Sequence, residues 1–198
     1  MLFKGKQGSK YDMLLVGLGN PDKKYENTRH NAGFMVADRF CETHGATLKR
    51  LKCKALVCEC AVGAKRVLVA FPQTYMNLSG EAVQALCGFY KIPTDKLLIV
   101  FDDISLDVGN IRIRRSGSHG GHNGMRNISE LMGTNEIARL KVGVGKKPHP
   151  DYDLKDWVLS RFTSDEQTAL DTGLDKAVNA VDEILLKNID SAMNKYNS

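Results

Sequence analysis

The segment Leu97-Leu-Ile-Val-Phe101 restricts this chain more than any other: five apolar residues without alternation, closed by Asp102-Asp103. A strand with one wet face alternates apolar and polar side chains, whereas a strand apolar at every position is covered on both faces. Helices must then flank the sheet, and the sequence supplies them. Apolar residues recur at helical spacing through Phe34, Ala37, Phe40 and Cys41 over 31–43, and through Val83, Leu86, Cys87 and Tyr90 over 79–90. They recur again from Leu170 to Leu185, in a long helix opened by a capping box at Ser164-Asp-Glu-Gln. A further helix is expected directly after the glycine-rich stretch 116–124. Met13-Leu-Leu-Val-Gly reads as a buried strand, 55–62 and 66–70 as a hairpin around Gly63, 111–115 as a strand with one basic face, and 141–145 as another strand. Pro72 to Asn77 and Lys146 to Asp153 read as loops. This alternation predicts an α/β fold: a single three-layer α/β/α domain over 13–198 with a twisted, mixed, mostly parallel central sheet. Residues 1–12 are polar, glycine-bearing and aperiodic, and are expected to form a flexible leader.

Several classes of function fall away on the same reading. The apolar runs are strand-sized, far short of the roughly 20 residues of a membrane span, and the amino terminus has no apolar core of a secretory signal. Cys41, Cys53, Cys58, Cys60 and Cys87 form an odd set without a C-x-x-C pair, which argues against a disulfide framework and fits small buried thiols in a reducing cytoplasm. Cys58 and Cys60 would share one face of a strand. Gly17-Leu-Gly19 follows a strand, but the third glycine of a dinucleotide fingerprint would fall on Asp22, with Pro21 in the turn. His119 and His122 are separated by two glycines and lack a third ligand at a recognisable spacing, so neither metal nor cofactor is expected. The same loop resembles an esterase oxyanion loop, yet no G-x-S-x-G elbow occurs.

Charge is more informative in its distribution than in its total of +5. Residues 110–147 carry eight basic side chains against two acidic ones, while 151–198 carry ten acids and five bases. A basic middle beside an acidic tail suits a polyanion such as nucleic acid, although charged strand ends are commonly just solvated. Asn20, His30, Asn77, Asp102 and Asn123 each have an ordinary explanation as a turn former, cap or strand terminator. Together they fall on segments that end strands or precede helices, at what should be one edge of the sheet.

Five segments then acquire a common meaning. Gly17-Leu-Gly-Asn-Pro, Tyr25-Glu-Asn-Thr-Arg-His-Asn-Ala-Gly, Pro72-Gln-Thr-Tyr-Met-Asn-Leu-Ser-Gly, Asp102-Asp103 and Gly117-Ser-His-Gly-Gly-His-Asn-Gly resemble, in order and spacing, the bacterial peptidyl-tRNA hydrolase family. The resemblance runs from about Met13 to the terminal helix. It implies a metal-free cytoplasmic enzyme, here expected to be monomeric, that hydrolyses the ester between peptide and tRNA and frees tRNA for translation. By resemblance His30 takes the position of the catalytic histidine and Asp102 that of its carboxylate partner. Asn20, Asn77 and Asn123 take those of substrate-contacting asparagines, Met76 an apolar contact in the cleft, and Tyr25 a residue near the tRNA end. Arg114 and Lys141 match basic positions on the tRNA-facing side; arginine is frequent in the family where Lys141 stands here. The chain also reads Asn-Pro-Asp for the usual Asn-Pro-Gly, and Asp102-Asp-Ile-Ser-Leu-Asp-Val for the usual Asp-x-Leu-Asp-Leu-Pro.

The chemistry these residues permit is economical. An ester needs no covalent intermediate, so His30 can act as a general base on water, Asp102 stabilising the imidazolium. Carboxamides supply donors to the developing oxyanion, with Asn123 or Asn77 favoured and Asn20 placing water or peptide. Arg112, Arg114, Arg115 and Lys141 are expected to hold phosphates of the acceptor arm near the 3′ end. The competing readings are an RNA-binding protein without turnover and a generic esterase that needs no RNA.

Overall fold

The computed structural model describes residues 9–197. The leader expected over 1–12 lies, up to residue 8, outside the described residues. The chain is already folded before Met13: Tyr11 is buried, its ring edge-on to Tyr90 at 5.4 Å, and the Asp12 N–H donates to the Arg66 carbonyl.

Among the described residues the strands are β1 (Met13–Gly17), β2 (Arg50–Lys52), β3 (Ala55–Val62), β4 (Lys65–Pro72), β5 (Leu97–Asp103), β6 (Ile111–Arg114) and β7 (Ala138–Gly143). They form one sheet in the order β2-β3-β4-β1-β5-β7-β6. The middle four, β4-β1-β5-β7, run parallel, while β2-β3-β4 at one side and β6-β7 at the other pair antiparallel. The helices are α1 (Ala32–Thr43), α2 (Ser79–Tyr90), α3 (Asn123–Met132), α4 (Leu154–Val158), α5 (Ser164–Leu186) and α6 (Ile189–Tyr196). The α/β class and the mixed sheet agree with the sequence-based expectation. No helix among the described residues is long and apolar enough to cross a membrane.

Alternation along β5 divides the core in two. Leu98 and Val100 face α1, α5 and α6 together with Phe40, Leu140, Val142, Val178 and Val181. Leu97, Ile99 and Phe101 face α2 and α3 with Val83, Leu86, Met125 and Ile128. The two apolar layers explain the unbroken run in the sequence, because a strand apolar at every position serves both. α1 is drawn unusually close: a Cβ on Gly33 would stand 2.3 Å from the Val100 carbonyl oxygen and 2.4 Å from the Leu18 nitrogen. Only glycine permits that approach.

The topology fixes where a ligand can sit. After β1 the chain leaves towards β4, and after β5 it crosses to β7 and β6, so neighbouring strands send their connections in opposite directions. A crevice opens there, at the carboxyl ends of β1 and β5.

Candidate active site

That crevice is a cleft of about 680 Å³ lined by Asn20, Tyr25, His30, Met76, Asn77, Asp102, His122 and Asn123, among others. The segment after β1 is fixed first. The Asn20 N–H donates to Asn31 Oδ1 at 2.8 Å, and Asn31 Nδ2 donates back to the Asn20 carbonyl at 3.0 Å. Asn20 Oδ1 accepts the Met76 N–H at 2.9 Å, which ties the turn before α2 to the turn after β1. The Asn20 amide nitrogen is thereby left for the cleft. Met76 is buried, and a Cβ on Gly124 would meet its sulfur at 2.7 Å, so the start of α3 closes against it.

His30 occupies a 3-10 turn, Arg29–Asn31, immediately before α1. Its neighbour Arg29 anchors that turn. Arg29 is 2% exposed; it donates to both Glu166 oxygens at 3.0 and 2.7 Å and to the Val144 carbonyl at 2.7 Å. Its guanidinium also lies over the rings of Trp157 and Phe162, at 3.8 and 4.7 Å. A bidentate, stacked arginine is a rigid peg, and it holds His30 from behind.

His30 Nδ1 lies 2.9 Å from Asp102 Oδ1, at the end of β5. The same oxygen meets His122 Nε2 at 3.0 Å. His122 is the N-cap of α3, its Nδ1 accepting the Met125 N–H, so its proton resides on Nε2 and points at Asp102. The two imidazoles stand 4.9 Å apart, and His122 leans on Phe101 at 4.7 Å. Burial disfavours the Asp102 carboxylate, but the two rings more than compensate and hold its pKa well below the ordinary value. For His30, burial opposes the charged form while the Asp102 charge and hydrogen bond favour it; the balance lies above 6.5. With Nδ1–H directed to Asp102, His30 presents Nε2 as a lone pair.

His30, Asp102 and His122 also bring one donor atom each within 4.8 Å of one another, as a metal centre would. Their hydrogen bonds already use Asp102 Oδ1 and both His122 nitrogens. His119, the other histidine of the glycine-rich loop, accepts the Gly121 N–H on Nδ1.

The asparagines divide by environment. Asn123, the first residue of α3, is exposed; its Oδ1 accepts from Arg126 at 2.9 Å, leaving the amide N–H groups to donate. Asn77 is exposed on the cleft wall, and Tyr25 is half-buried there. The sequence-based reading passed over His122 as a functional residue, setting it aside with His119 in weighing metal. Its place beside Asn123 in a helix-initiating position was the available signal. The loop expected over Lys146 to Asp153 is present, but the helix directly after it is not foreseen from the sequence. Leu154, Lys155, Val158 and Leu159 of α4 and its end form one wall of the cleft.

The basic residues do not all reach this region. Arg112 pairs across the sheet with Lys141 and Arg114 with Arg139, so these four share the sheet face that carries Phe101 and α3. Lys141 Nζ binds Asp103 at 2.8 Å. Arg139 is buried and spends its guanidinium on the carbonyls of Gly117, Ser118 and Asn135, bracing the glycine-rich loop. Arg115 turns away: its Nε binds Asp190 of α6 at 3.0 Å, beside a different depression at the amino ends of the strands. The expectation that Arg115 stands with Arg112 and Arg114 therefore has to be corrected. Strand alternation and the end of β6 at Arg114 put it elsewhere.

Comparison with known proteins points to one family. The family model described as peptidyl-tRNA hydrolase matches residues 14–198. Peptidyl-tRNA hydrolase of Chloroflexus aurantiacus is 48% identical over 185 residues, 93% of this chain and 98% of that protein. That of Lachnoclostridium phytofermentans is 45% identical over 184 residues, 93% and 96% respectively. A crystal structure of peptidyl-tRNA hydrolase from Acinetobacter baumannii superposes with a TM-score of 0.88 at 34% identity, covering 98% of each chain. At these levels of identity and coverage, the chain belongs to the peptidyl-tRNA hydrolase family.

Proposed function

We propose that this protein hydrolyses the ester joining peptide to tRNA, with His30 activating the attacking water and Asp102 as its partner. One observation carries the mechanism: the 2.9 Å contact between His30 Nδ1 and Asp102 Oδ1 in a cleft rimmed by Asn20, Asn77 and Asn123. Asp102 holds the Nδ1 proton, so His30 Nε2 is free to take one from water; the imidazolium that results is stabilised by the same carboxylate. General-base assistance supplies about 10²- to 10⁴-fold, so the developing oxyanion needs donors as well. Asn123 has its amide N–H groups unspent, because Arg126 holds its oxygen. Asn77 is a second donor, and Asn20, its oxygen tied to Met76, offers an N–H to the water or the peptide.

The rest of the cleft accounts for the substrate. Met76, Leu154, Val158 and Leu159 give apolar contact for peptide side chains of varied kind. Of the two carboxylates on the lining, Asp102 is engaged by both imidazoles, and Asp153 Oδ1 caps α4 by accepting the Lys155 and Asp156 N–H groups. The carboxamides that rim the cleft suit the C=O and N–H groups of a peptide backbone, which favours peptidyl-tRNA over aminoacyl-tRNA. Arg112, Arg114 and Lys141, on the face next to α3, suit the phosphates of the acceptor arm. Residues 13–198 thus act as one catalytic unit, and the reaction needs no metal.

The deciding experiment measures release of N-acetylated amino acid from tRNA by purified protein, with chelator present, for wild type and His30→Ala. Activity in the wild type and its loss in the variant, with tRNA affinity nearly unchanged, is expected. A fully active His30→Ala would overturn the mechanism, and an inactive wild type that binds tRNA would favour a binding protein instead.

A further inference from the structure

Three of the free cysteines meet on the sheet face opposite α2 and α3. Cys58 and Cys60 project from the same side of β3, and Cys41 comes down on them from the last turns of α1. Cys41 Sγ lies 2.9 Å from Cys58 Sγ and 4.0 Å from Cys60 Sγ, and all three sulfurs lie within 4.8 Å of one another. All three are buried among apolar side chains. Cys58 also borders a surface crevice of about 320 Å³ formed with Gly45, Ala46, Thr47 and Leu48, which gives a way in.

We propose that Cys41, Cys58 and Cys60 are a binding site for a trivalent thiophilic metalloid, taken up as an uncharged oxyacid of the arsenite type. Thiolate bonds of about 2.3 Å at pyramidal angles separate the sulfurs by roughly 3.5 Å; the two edges at Cys41 are 2.9 and 4.0 Å, and the third is within 4.8 Å. A trigonal planar cation would ask for about 4.0 Å on all sides, so distance alone does not choose between the two.

Charge separates the alternatives more sharply. Three thiolates around a monovalent cation leave two negative charges, and around a divalent cation one, inside an apolar layer where unpaired charge is disfavoured. Lys49 is the cation that acts on Cys58, and it is itself engaged with Asp38 and the Phe71 ring. A trivalent centre bonded to three sulfurs leaves none. In the reaction, three S–H and three As–O bonds break, three As–S and three O–H bonds form, and three waters leave. Arsenic stays trivalent, so no oxidant or reductant is required. Cys58, the one of the three that borders the crevice, is the first thiol an incoming oxyacid meets. The site is remote from His30: Cys41 stands about 16 Å along the axis of α1.

Intact-protein mass spectrometry and a binding titration with sodium arsenite test this. One arsenic gained with three hydrogens lost is expected. Cys41→Ser, Cys58→Ser and Cys60→Ser should each lower affinity at least about tenfold, the lower end of what disturbing a metal site typically costs. Cys87→Ser, in α2 across the sheet, should not change it. Absence of an adduct, an adduct that keeps a hydroxyl, or one indifferent to Cys41 overturns the proposal. Arsenic-edge X-ray absorption on the unmodified protein requires no variant: three sulfur neighbours support it, and two or fewer sink it.

Discussion

Replacing Asp102 by asparagine isolates the charge on the candidate active site from its shape. Both imidazole N–H groups fall on a single oxygen, at 2.9 and 3.0 Å, and an asparagine carbonyl can accept the same two bonds. What disappears is the negative charge opposite the imidazolium that His30 becomes as water gives up its proton. A hydrogen bond to a charged group contributes about 1.5–3 kcal/mol, against about 1 for a neutral one. Loss of that difference, about 0.5–2 kcal/mol, in the transition state lowers kcat/KM by about 2- to 30-fold, at 1.4 kcal/mol per decade. The pH profile is the sharper readout. In the wild type the acid limb follows His30, whose pKa the Asp102 charge lifts above 6.5 against the opposing effect of burial. In Asp102→Asn burial acts without that opposition, so the midpoint moves to lower pH and the deficit narrows in acid. Single-turnover release of N-acetylated amino acid from tRNA across pH 5 to 9 measures both quantities. An acid limb that stays in place, or that moves upward, refutes the pairing as the origin of His30 basicity.

Arg29→Met removes a buried guanidinium and leaves the Val144 carbonyl and the partly exposed Glu166 without their partner; denaturant unfolding at neutral pH should show a loss of about 1–3 kcal/mol. Burial works against the Glu166 carboxylate, but Arg29 depresses its folded pKa, so the stability from this pair is complete above the unfolded value of 4.5 and is lost as pH falls through the folded one. The gap between wild type and Arg29→Met should accordingly close in acid. For tRNA affinity, Arg112→Gln and Arg114→Gln should each reduce the slope of log K against log salt by about 0.7–0.9 for every phosphate left without its cation. Arg115→Gln, whose side chain binds Asp190, should leave that slope unchanged in the same filter-binding series. Gly33→Ala forces α1 away from Val100 and Leu18, and thermal unfolding should register a cost of at least about 1–3 kcal/mol.

What the sequence made legible, and what it hid, follows from how local each signal is. The apolar run ending in Asp102-Asp103 and the helical spacing of α1, α2 and α5 need only neighbours a few residues away, and those elements lie where expected. The capping box of α5 shows the limit of that reasoning. Thr163, not Ser164, is the cap, with Glu166 as its partner, because either hydroxyl residue satisfies the pattern and only backbone geometry selects one. β7 starts at Ala138, three residues before the expected point, since Arg139 looks like a surface residue until its carbonyl partners are seen. β2, α4 and α6 are too short to display a period. Of the candidate site, His30, Asp102 and the asparagines were visible as strand-end polar residues and through family resemblance. His122 was obscured by the glycines before it, and the Arg115–Asp190 pair by its distance along the chain.

The two hydrogen bonds of His122 bear on how the proposed reaction would run. Since Met125 occupies its Nδ1 and Asp102 its Nε2, this ring has no vacancy, and of the two imidazoles only His30 turns an unbonded nitrogen to the cleft. In the proposed hydrolysis the nitrogen that takes a proton from water is also the one placed to return it to the departing ribose oxygen. In that mechanism water and leaving group would share one side of the carbonyl, both within reach of a single imidazole edge.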